Sequence, residues 1–528
     1  LASSAAQANA NHYYSTSTTS KARKPATTER REQRRPEVAM RGGDGKPGRG
    51  PKRQLNAGYV VGGLLMLLTY LVAQHFAVSS PNVVITEAPR IVDDVKSPGE
   101  TAVVSREVPQ IVDNTKDPGE TAVVSAEVPQ IVDNIKAPGE TENGKVVCNM
   151  EGRSDTCEVD GDVRTNGTAL SVTLVPAASW PERHEWMINP YSRRFASLRK
   201  VTVTQLQDRA AAPPCTVTHD MPAVLFGIGG YAANYWHAYA DILVPLFVAS
   251  RRYHGEVTFL VSNIQFRPRW LVKYRAFLQG LSKYDLVDMD GDAQVRCFPR
   301  VTVGLRLDKE LSIVPELVPG GRLSMPDFTG FLREAYALPR GAAASLAREP
   351  EKKPRLLLIH RGHYRRILNE PEVARAAEEA GFEAVVTELR GGGDTPEGEV
   401  EQARVVNSFD VVLGLHGAGL TNAMFLPPGG VLIQVVPYGN MEDIARAEFS
   451  EPATDMGLKY LDYSVCAEES SLMETLGPEH PAVKDPASVH RSGWDKVFEL
   501  YLAKQNVRIN VTRFAPTLAQ ALDHLRRQ

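Results

Sequence analysis

The chain has 528 residues and a formal net charge of −3, with 43% apolar and 23% charged residues. That length allows two or three domains. Near neutrality excludes a general nucleic-acid binder, and five cysteines without a C-x-x-C pair exclude the common structural zinc sites.

The neutrality hides an asymmetry. Residues 1–56 carry 12 Lys or Arg against four acidic residues. They are rich in Ser, Thr, Ala, Gly and Pro and lack helical or strand periodicity, the composition of a disordered basic tail. Residues 57–78, AGYVVGGLLMLLTYLVAQHFAV, are almost wholly apolar. As a helix they would reach roughly 33 Å at ~1.5 Å per residue, enough to cross a bilayer. Lys52 and Arg53 precede the span. Positive flanks stay cytoplasmic, so the rest of the chain is expected on the lumenal side. A cleaved signal peptide is the competing reading; the length of the span and its lack of a small-residue cleavage site favour a transmembrane anchor. From Glu87 a unit of 20 residues recurs nearly three times: EAPRIVDDVKSPGETAVVSR, EVPQIVDNTKDPGETAVVSA, EVPQIVDNIKAPGETENGK. Each copy holds two prolines, several charges and too few large apolar residues for a core. Residues 79–145 therefore read as a semi-extended stem rather than a solenoid.

From about residue 146 short apolar runs alternate with helical patterns. VTVTQLQ, PAVLFGIGG, EVTFLVS and RVTVGL are expected strands, followed by RLLLIH, FEAVVTEL, DVVLGLHG and GVLIQVVP. Helices are expected over 372–380 and 400–408. Strand–helix alternation with near-continuous β-branched strands predicts buried parallel sheet. The charged stretch AREPEKKPR is a natural linker, giving two α/β domains over 146–345 and 346–528 with a cleft between them. Such folds bind ligands at the carboxyl ends of their strands. Cys148, Cys157, Cys215, Cys297 and Cys466 leave room for two disulfides and one thiol in an oxidising lumen, and Asn166-Gly-Thr and Asn510-Val-Thr are sequons permissive for glycosylation there.

Three constellations stand out. In LGLHGAGLTNAMF an apolar strand runs into His416, Gly417, Ala418 and Gly419 and then a helical pattern. A glycine turn feeding a helix start lets backbone N–H groups approach an anion, with His416 as a further donor. In HRGHYRRILNEPE, Arg361 and Arg365 are four apart, which on a helix is one face; Arg366, Asn369 and Glu372 follow. Guanidinium forks match phosphate oxygens. In FGIGGYAANYWHAYADILVPLF, Asn234, His237 and Asp241 share a helical face. A His and an Asp four apart suit an acid–base pair, although a capped amphipathic helix explains the same pattern. Two other stretches are weaker. DMDGD, ending at Asp292, contains the Asp-x-Asp seen in metal-nucleotide sites but reads equally as an acidic turn. GLHGAG has no Ser or Cys at its centre, so a hydrolase elbow is unsupported.

Taken together, GRSDTCEVDGDVR, GGYAANYWHAYADILVPLF, HRGHYRRILNEPEV, LGLHGAGLTNAMFLPPG and the tail from EESSL to INVTRF resemble plant members of glycosyltransferase family 61, in particular grass xylan side-chain transferases. The resemblance covers residues from about 146 to the C-terminus. It departs at His360, where the family often carries Ser, and at Ala233 before Asn234, where it often carries Gly. The repeated stem is outside the family pattern.

The resemblance implies a type II Golgi membrane protein with a GT-B-like fold, two Rossmann-type domains around an interdomain cleft, working by inversion and without a metal or other cofactor. It implies an acceptor-side domain over 146–345 and a nucleotide-sugar-binding domain over 346–528. The donor would be a UDP-pentose, xylose or arabinofuranose, and the acceptor a xylan backbone, with association into larger glycosyltransferase complexes a further expectation. Alternatives are an N-glycan core xylosyltransferase and a catalytically silent scaffold subunit. Arg361, Arg365, Arg366, Asn369, His416, Gly417 and Gly419 would hold the diphosphate, with Asn234 on the opposite wall. Asp241 is the first expectation for the base with His237 relaying; the reverse assignment stays open, and Glu372 and Glu442 are further candidates.

Overall fold

In a computed structural model the described residues are 144–319, 321–389 and 395–528. The expected tail, the span 57–78 and the repeats lie outside them. Among the described residues no helix is long and apolar enough to cross a membrane.

Two sheets organise these residues. The first contains β1 (Lys145–Asn149), β2 (Thr156–Asn166), β3 (Ser171–Val175), β4 (His184–Ile188), β5 (Val201–Gln205), β6 (Val217–Thr218), β7 (Ala223–Gly227), β8 (Thr258–Ser262), β9 (Val287–Asp288) and β10 (Val295–Val303). Its order is β4-β5-β3-β2-β10-β7-β8-β9, with β1 added to β2 and β6 to β10. Only part of it is the parallel sheet expected from sequence: β10, β7, β8 and β9 run parallel. β2 pairs antiparallel with β1, β3 and β10. Buried and more open residues alternate along β2, as in a strand with one wet face. β7 and β8 are buried at every position, as strands covered on both faces are.

The second sheet contains β11 (Arg355–His360), β12 (Glu383–Glu388), β13 (Val411–Leu415), β14 (Val431–Val436) and β15 (Lys459–Ser464). It is parallel throughout, in the order β12-β11-β13-β14-β15. Counted within this half, that is 2-1-3-4-5, a doubly wound arrangement. The chain leaves its first strand in one direction and its third in the other, so loops part above β11 and β13 and open a crevice there. Side-chain alternation covers both faces: Leu357 and Ile359 join one core, Leu356 and Leu358 the other. The helix Glu370–Ala380 packs on the second of these faces, where Val373 and Ala377 are buried.

The core that takes Leu357 and Ile359 also takes Phe226, Tyr239 and Phe247 from the first half, so the two halves share apolar packing. A buried polar tie crosses the same boundary. Tyr235 and Tyr239 donate to Glu399 Oε1 at 2.8 and 2.7 Å. Two disulfides staple the first half: Cys148 to Cys157 between paired positions of β1 and β2, and Cys215 to Cys297, while Cys466 stays a thiol.

Candidate active site

β11 and β13 end beside each other, and the residues that follow them meet. After β13 the chain passes His416 and enters Gly417, with φ 137°. A side chain there would be strained, and a methyl group would stand 2.8 Å from Arg361 Nη1 and 3.0 Å from both Nη atoms of Arg365. The positive φ favours glycine, and with no side chain there two guanidiniums lie against the turn. These arginines do not reach it from a helical face. The segment after β11 is a loop in which Arg361 Nε donates to the Tyr364 carbonyl at 3.2 Å and Tyr364 and Arg365 adopt left-handed backbone. Nor does an α-helix follow the turn. Residues Ala418–Phe425 form a 3₁₀ stretch, so the main charge at this spot is the guanidinium pair rather than a helix dipole. Gly419 is under no such constraint: a methyl group there would sit 3.6 Å from Ile359, an ordinary contact.

His416 is 2% exposed. Burial, and then the Arg365 and Arg361 charges, push its imidazole well below the ordinary range, so it is neutral. Its tautomer follows from its partners. Tyr460 donates to Gln434 Oε1 at 2.7 Å, which turns the Gln434 amide nitrogen to His416 Nδ1 at 2.8 Å. The proton therefore sits on Nε2, which lies 3.6 Å from Glu448 Oε2.

On the other wall, Asn234 serves as a helix cap, its side chain accepting from Trp236 N at 2.9 Å. His237 and Asp241, four apart, face each other on a helix that widens into a π turn over Ala238–Leu243, a feature common at functional sites. His237 Nδ1 stands 2.9 Å from Asp241 Oδ2. The same oxygen accepts from Tyr191 OH at 2.6 Å. Arg193 Nη2 lies 2.9 Å from Asp241 Oδ1, an ion pair by distance whose N–H direction falls short of a hydrogen bond. Arg193 also grips Glu310 at 2.5 Å. Asp241 is fully buried. Burial alone would raise its carboxyl, but the Arg193 charge and then His237 outweigh that and hold it well below the usual carboxylate range.

This geometry favours the reverse assignment of the pair, with Asp241 orienting His237. A fully enclosed, strongly ionised Asp241 has no path to a substrate hydroxyl. An ionised Asp241 at Nδ1 makes that nitrogen the donor, so Nε2 becomes the proton-accepting atom of His237, whose side chain is 15% exposed.

The two walls meet at Glu448. Trp236, next to His237, donates from Nε1 to the Glu448 carbonyl at 3.3 Å. The Glu448 side chain is 32% exposed and faces His416. Its carboxyl is pushed up to about 7, by burial first and then Glu310, against the pull of Arg365 and Arg193. Sequence reasoning missed Glu448, Tyr191, Arg193 and Glu310. None has a local signature, and each reaches the site only through tertiary contacts.

Other expected residues lie elsewhere. Asn369 is 3% exposed. It exchanges two hydrogen bonds with the Ile509 backbone, both at 2.9 Å, and so ties down the C-terminal segment rather than a substrate. Glu372 accepts from Asn369 at 2.9 Å, and Glu442 is exposed. Arg366 is not among the atoms nearest Gly417 and lines a pocket with Tyr364 and Lys504. In DMDGD, Asp290 accepts from the Asn263 and Ile264 backbones at 3.0 and 2.7 Å and Asp292 pairs with Arg296 at 2.8 Å, the bonding of a structural turn. Among the described residues the one close cluster of metal-type side chains is Asp162, Cys215 and Cys297, and both of its sulfurs are in a disulfide.

A doubly wound sheet with paired guanidiniums at its switch point, opposite a histidine backed by a buried carboxylate, offers cations suited to a phosphate-bearing ligand and a histidine suited to proton transfer. Comparison with known proteins narrows the class. Residues 235–433 match the family described as Glycosyltransferase 61, a span that includes His237, Asp241, Arg361, Arg365 and His416. The chain is 40% identical over 387 residues to α-1,3-arabinosyltransferase XAT3 of Oryza sativa subsp. japonica, covering 73% of this chain and 66% of that one, just under two thirds. It is 41% identical over 396 residues to β-1,2-xylosyltransferase XYXT1 of the same organism, covering 71% and 83%. It is 32% identical over 399 residues to xylan glycosyltransferase MUCI21 of Arabidopsis thaliana, covering 71% and 79%. The chain belongs to glycosyltransferase family 61.

Proposed function

We propose that the chain is an inverting pentosyltransferase that moves arabinofuranose or xylose from a UDP-sugar to a xylan backbone. The observation that carries this reading is the pair of guanidiniums, Arg361 and Arg365, packed on Gly417 where β11 and β13 end. They suit the pyrophosphate of a nucleotide sugar. The choice of pentose and of xylan rests on the relatives, which are arabinosyl- and xylosyltransferases and a xylan glycosyltransferase by name.

In the proposed reaction the acceptor hydroxyl attacks the anomeric carbon from the face opposite the diphosphate. The carbon–oxygen bond to the diphosphate breaks and its electron pair leaves on the phosphate oxygen. Arg361, Arg365 and His416 Nε2–H meet that charge. The hydroxyl proton passes to His237 Nε2, and Asp241 stabilises the imidazolium. The Asp residues of DMDGD are engaged in structural bonds, which supports a metal-independent route. Activity is expected to persist in excess EDTA; loss restored by manganese would count against that route.

We read the two halves as the lobes of a GT-B-like enzyme, with the donor on the second lobe and the reacting hydroxyl of the acceptor presented against the first. We further place the chain in the Golgi as a single-pass type II protein anchored by 57–78. That placement is supported by the apolar span and by two disulfides, which persist in oxidising compartments. The deciding experiment incubates the chain with a panel of nucleotide sugars and a xylo-oligosaccharide and reads products by mass. Addition of one pentose with release of UDP is expected. Transfer to an N-glycopeptide but not to the xylo-oligosaccharide would reassign the acceptor; no transfer and no UDP binding would make the chain a scaffold.

A further inference from the structure

The loop that aims Arg361 at Gly417 has a second face. Tyr364 (φ 44°) and Arg365 (φ 49°) are consecutive residues in left-handed backbone, a conformation that side chains disfavour and that gathers at functional sites. The Tyr364 carbonyl is held by Arg361, so its ring has a fixed base. The ring is thrown outward and is 67% exposed, the most open large aromatic or aliphatic side chain among the described residues. It borders a pocket of about 430 Å³ whose other walls include His363, Arg366, Lys504 and Asn506. No carboxylate lines the pocket. Lys504 is matched by Glu499 at 2.5 Å, but the Arg366 guanidinium pairs with no acidic group among the described residues. Asn506 Oδ1 accepts from Arg366 N at 2.9 Å, which fixes where that side chain departs.

An open aromatic face beside an unmatched guanidinium calls for a ligand with an apolar face and a negative group. The donor phosphates already have Arg361 and Arg365. A uronic acid fits what is left: the C–H groups of its ring meet the aromatic face and its carboxylate meets the guanidinium fork. We propose that this pocket is an acceptor subsite for an acidic sugar, with a uronate ring on Tyr364 and its carboxylate on Arg366 and Lys504. The proposal rests on the reading of the chain as a glycan-modifying transferase, but not on which sugar it transfers.

The test is binding, not turnover. Calorimetry on the full chain compares a glucuronate-bearing xylo-oligosaccharide with the same molecule after reduction of its carboxyl to the alcohol. The acidic form is expected to bind about tenfold tighter, as for one charge-assisted pair, with the preference shrinking as salt rises. Arg366→Ala is expected to remove the preference, and Tyr364→Ala to weaken both ligands alike, with UDP affinity within about twofold of the parent in Tyr364→Ala. Equal binding of the two oligosaccharides by the parent chain would overturn the proposal. So would a Tyr364→Ala variant that loses UDP affinity and keeps glycan binding, because the pocket would then belong to the nucleoside. A chain that transfers no pentose yet keeps the acidic preference would sink the proposed reaction and leave this subsite standing.

Discussion

The two walls of the site reach their chemistry by opposite routes. On the second half, the proposed chemistry relies on a backbone position without a side chain. Gly417 has no side chain, so two guanidiniums settle on the main chain at a place where parallel strands diverge. On the first half, function comes from enclosure. Asp241 is removed from solvent and held by Tyr191 and Arg193, and in the proposed reaction it works through the histidine it touches. Charge that must meet a ligand stays at the surface of the crevice, and charge that must orient another group is buried. The contrast predicts different failures when each wall is damaged.

The sharpest way to break the contrast is at Asp241. Asp241→Asn is expected to lower turnover by about 10³- to 10⁴-fold, the scale seen when an orienting carboxylate behind a catalytic imidazole becomes an amide. UDP affinity measured by calorimetry is expected to hold. Parent-like turnover in that variant would remove the His237–Asp241 pair from the reaction. Arg361→Ala attacks the other wall. It is expected to cost on the order of 3 kcal/mol in the transition state, about a hundredfold in rate, and to weaken UDP binding as well. Gly417→Ala, which changes no charge, is expected to imitate it at about tenfold, because its methyl group displaces both guanidiniums. An unchanged UDP affinity in Gly417→Ala would show that the close approach is incidental.

Glu448 tests the seam between the walls. Its carboxyl, ordinarily near 4.5, is pushed up to about 7 in the fold. The folded chain therefore favours the protonated form, and that contribution is complete below about 4.5 and lost as pH rises through about 7. Glu448→Gln stays neutral. Chemical-denaturation midpoints of variant and parent are expected to agree near pH 4.5, with the variant ahead at pH 8. A constant gap across that range would mean that Glu448 titrates normally. The smallest functional effect is expected at Asn369. Asn369→Ala should lower stability by about 1–3 kcal/mol through the unpaired Ile509 backbone, with UDP affinity of the folded fraction unchanged.

The sequence alone determined much of the frame. All eight apolar runs picked out as strands are strands; most are covered on both faces, which leaves an unbroken apolar signal, while β12 has no fully buried position. β2, by contrast, has a half-open face that thins its apolar signal, and it carries the antiparallel part of the first sheet. The Arg361–Arg365 and His416–Gly417 clusters were legible because glycine turns and basic runs directly after buried strands are local patterns. Their convergence on one point was decided by the strand order, which sets β11 beside β13 although more than 50 residues separate their ends. What Asp241 and Asn369 touch was decided by burial. A carboxylate or an amide looks the same in sequence whether it faces a substrate or is sealed among Tyr191 and Arg193 or against Ile509, since its partners come from residues 48–140 positions away. Local periodicity records which face of an element is apolar; only the packed chain decides what each polar group meets.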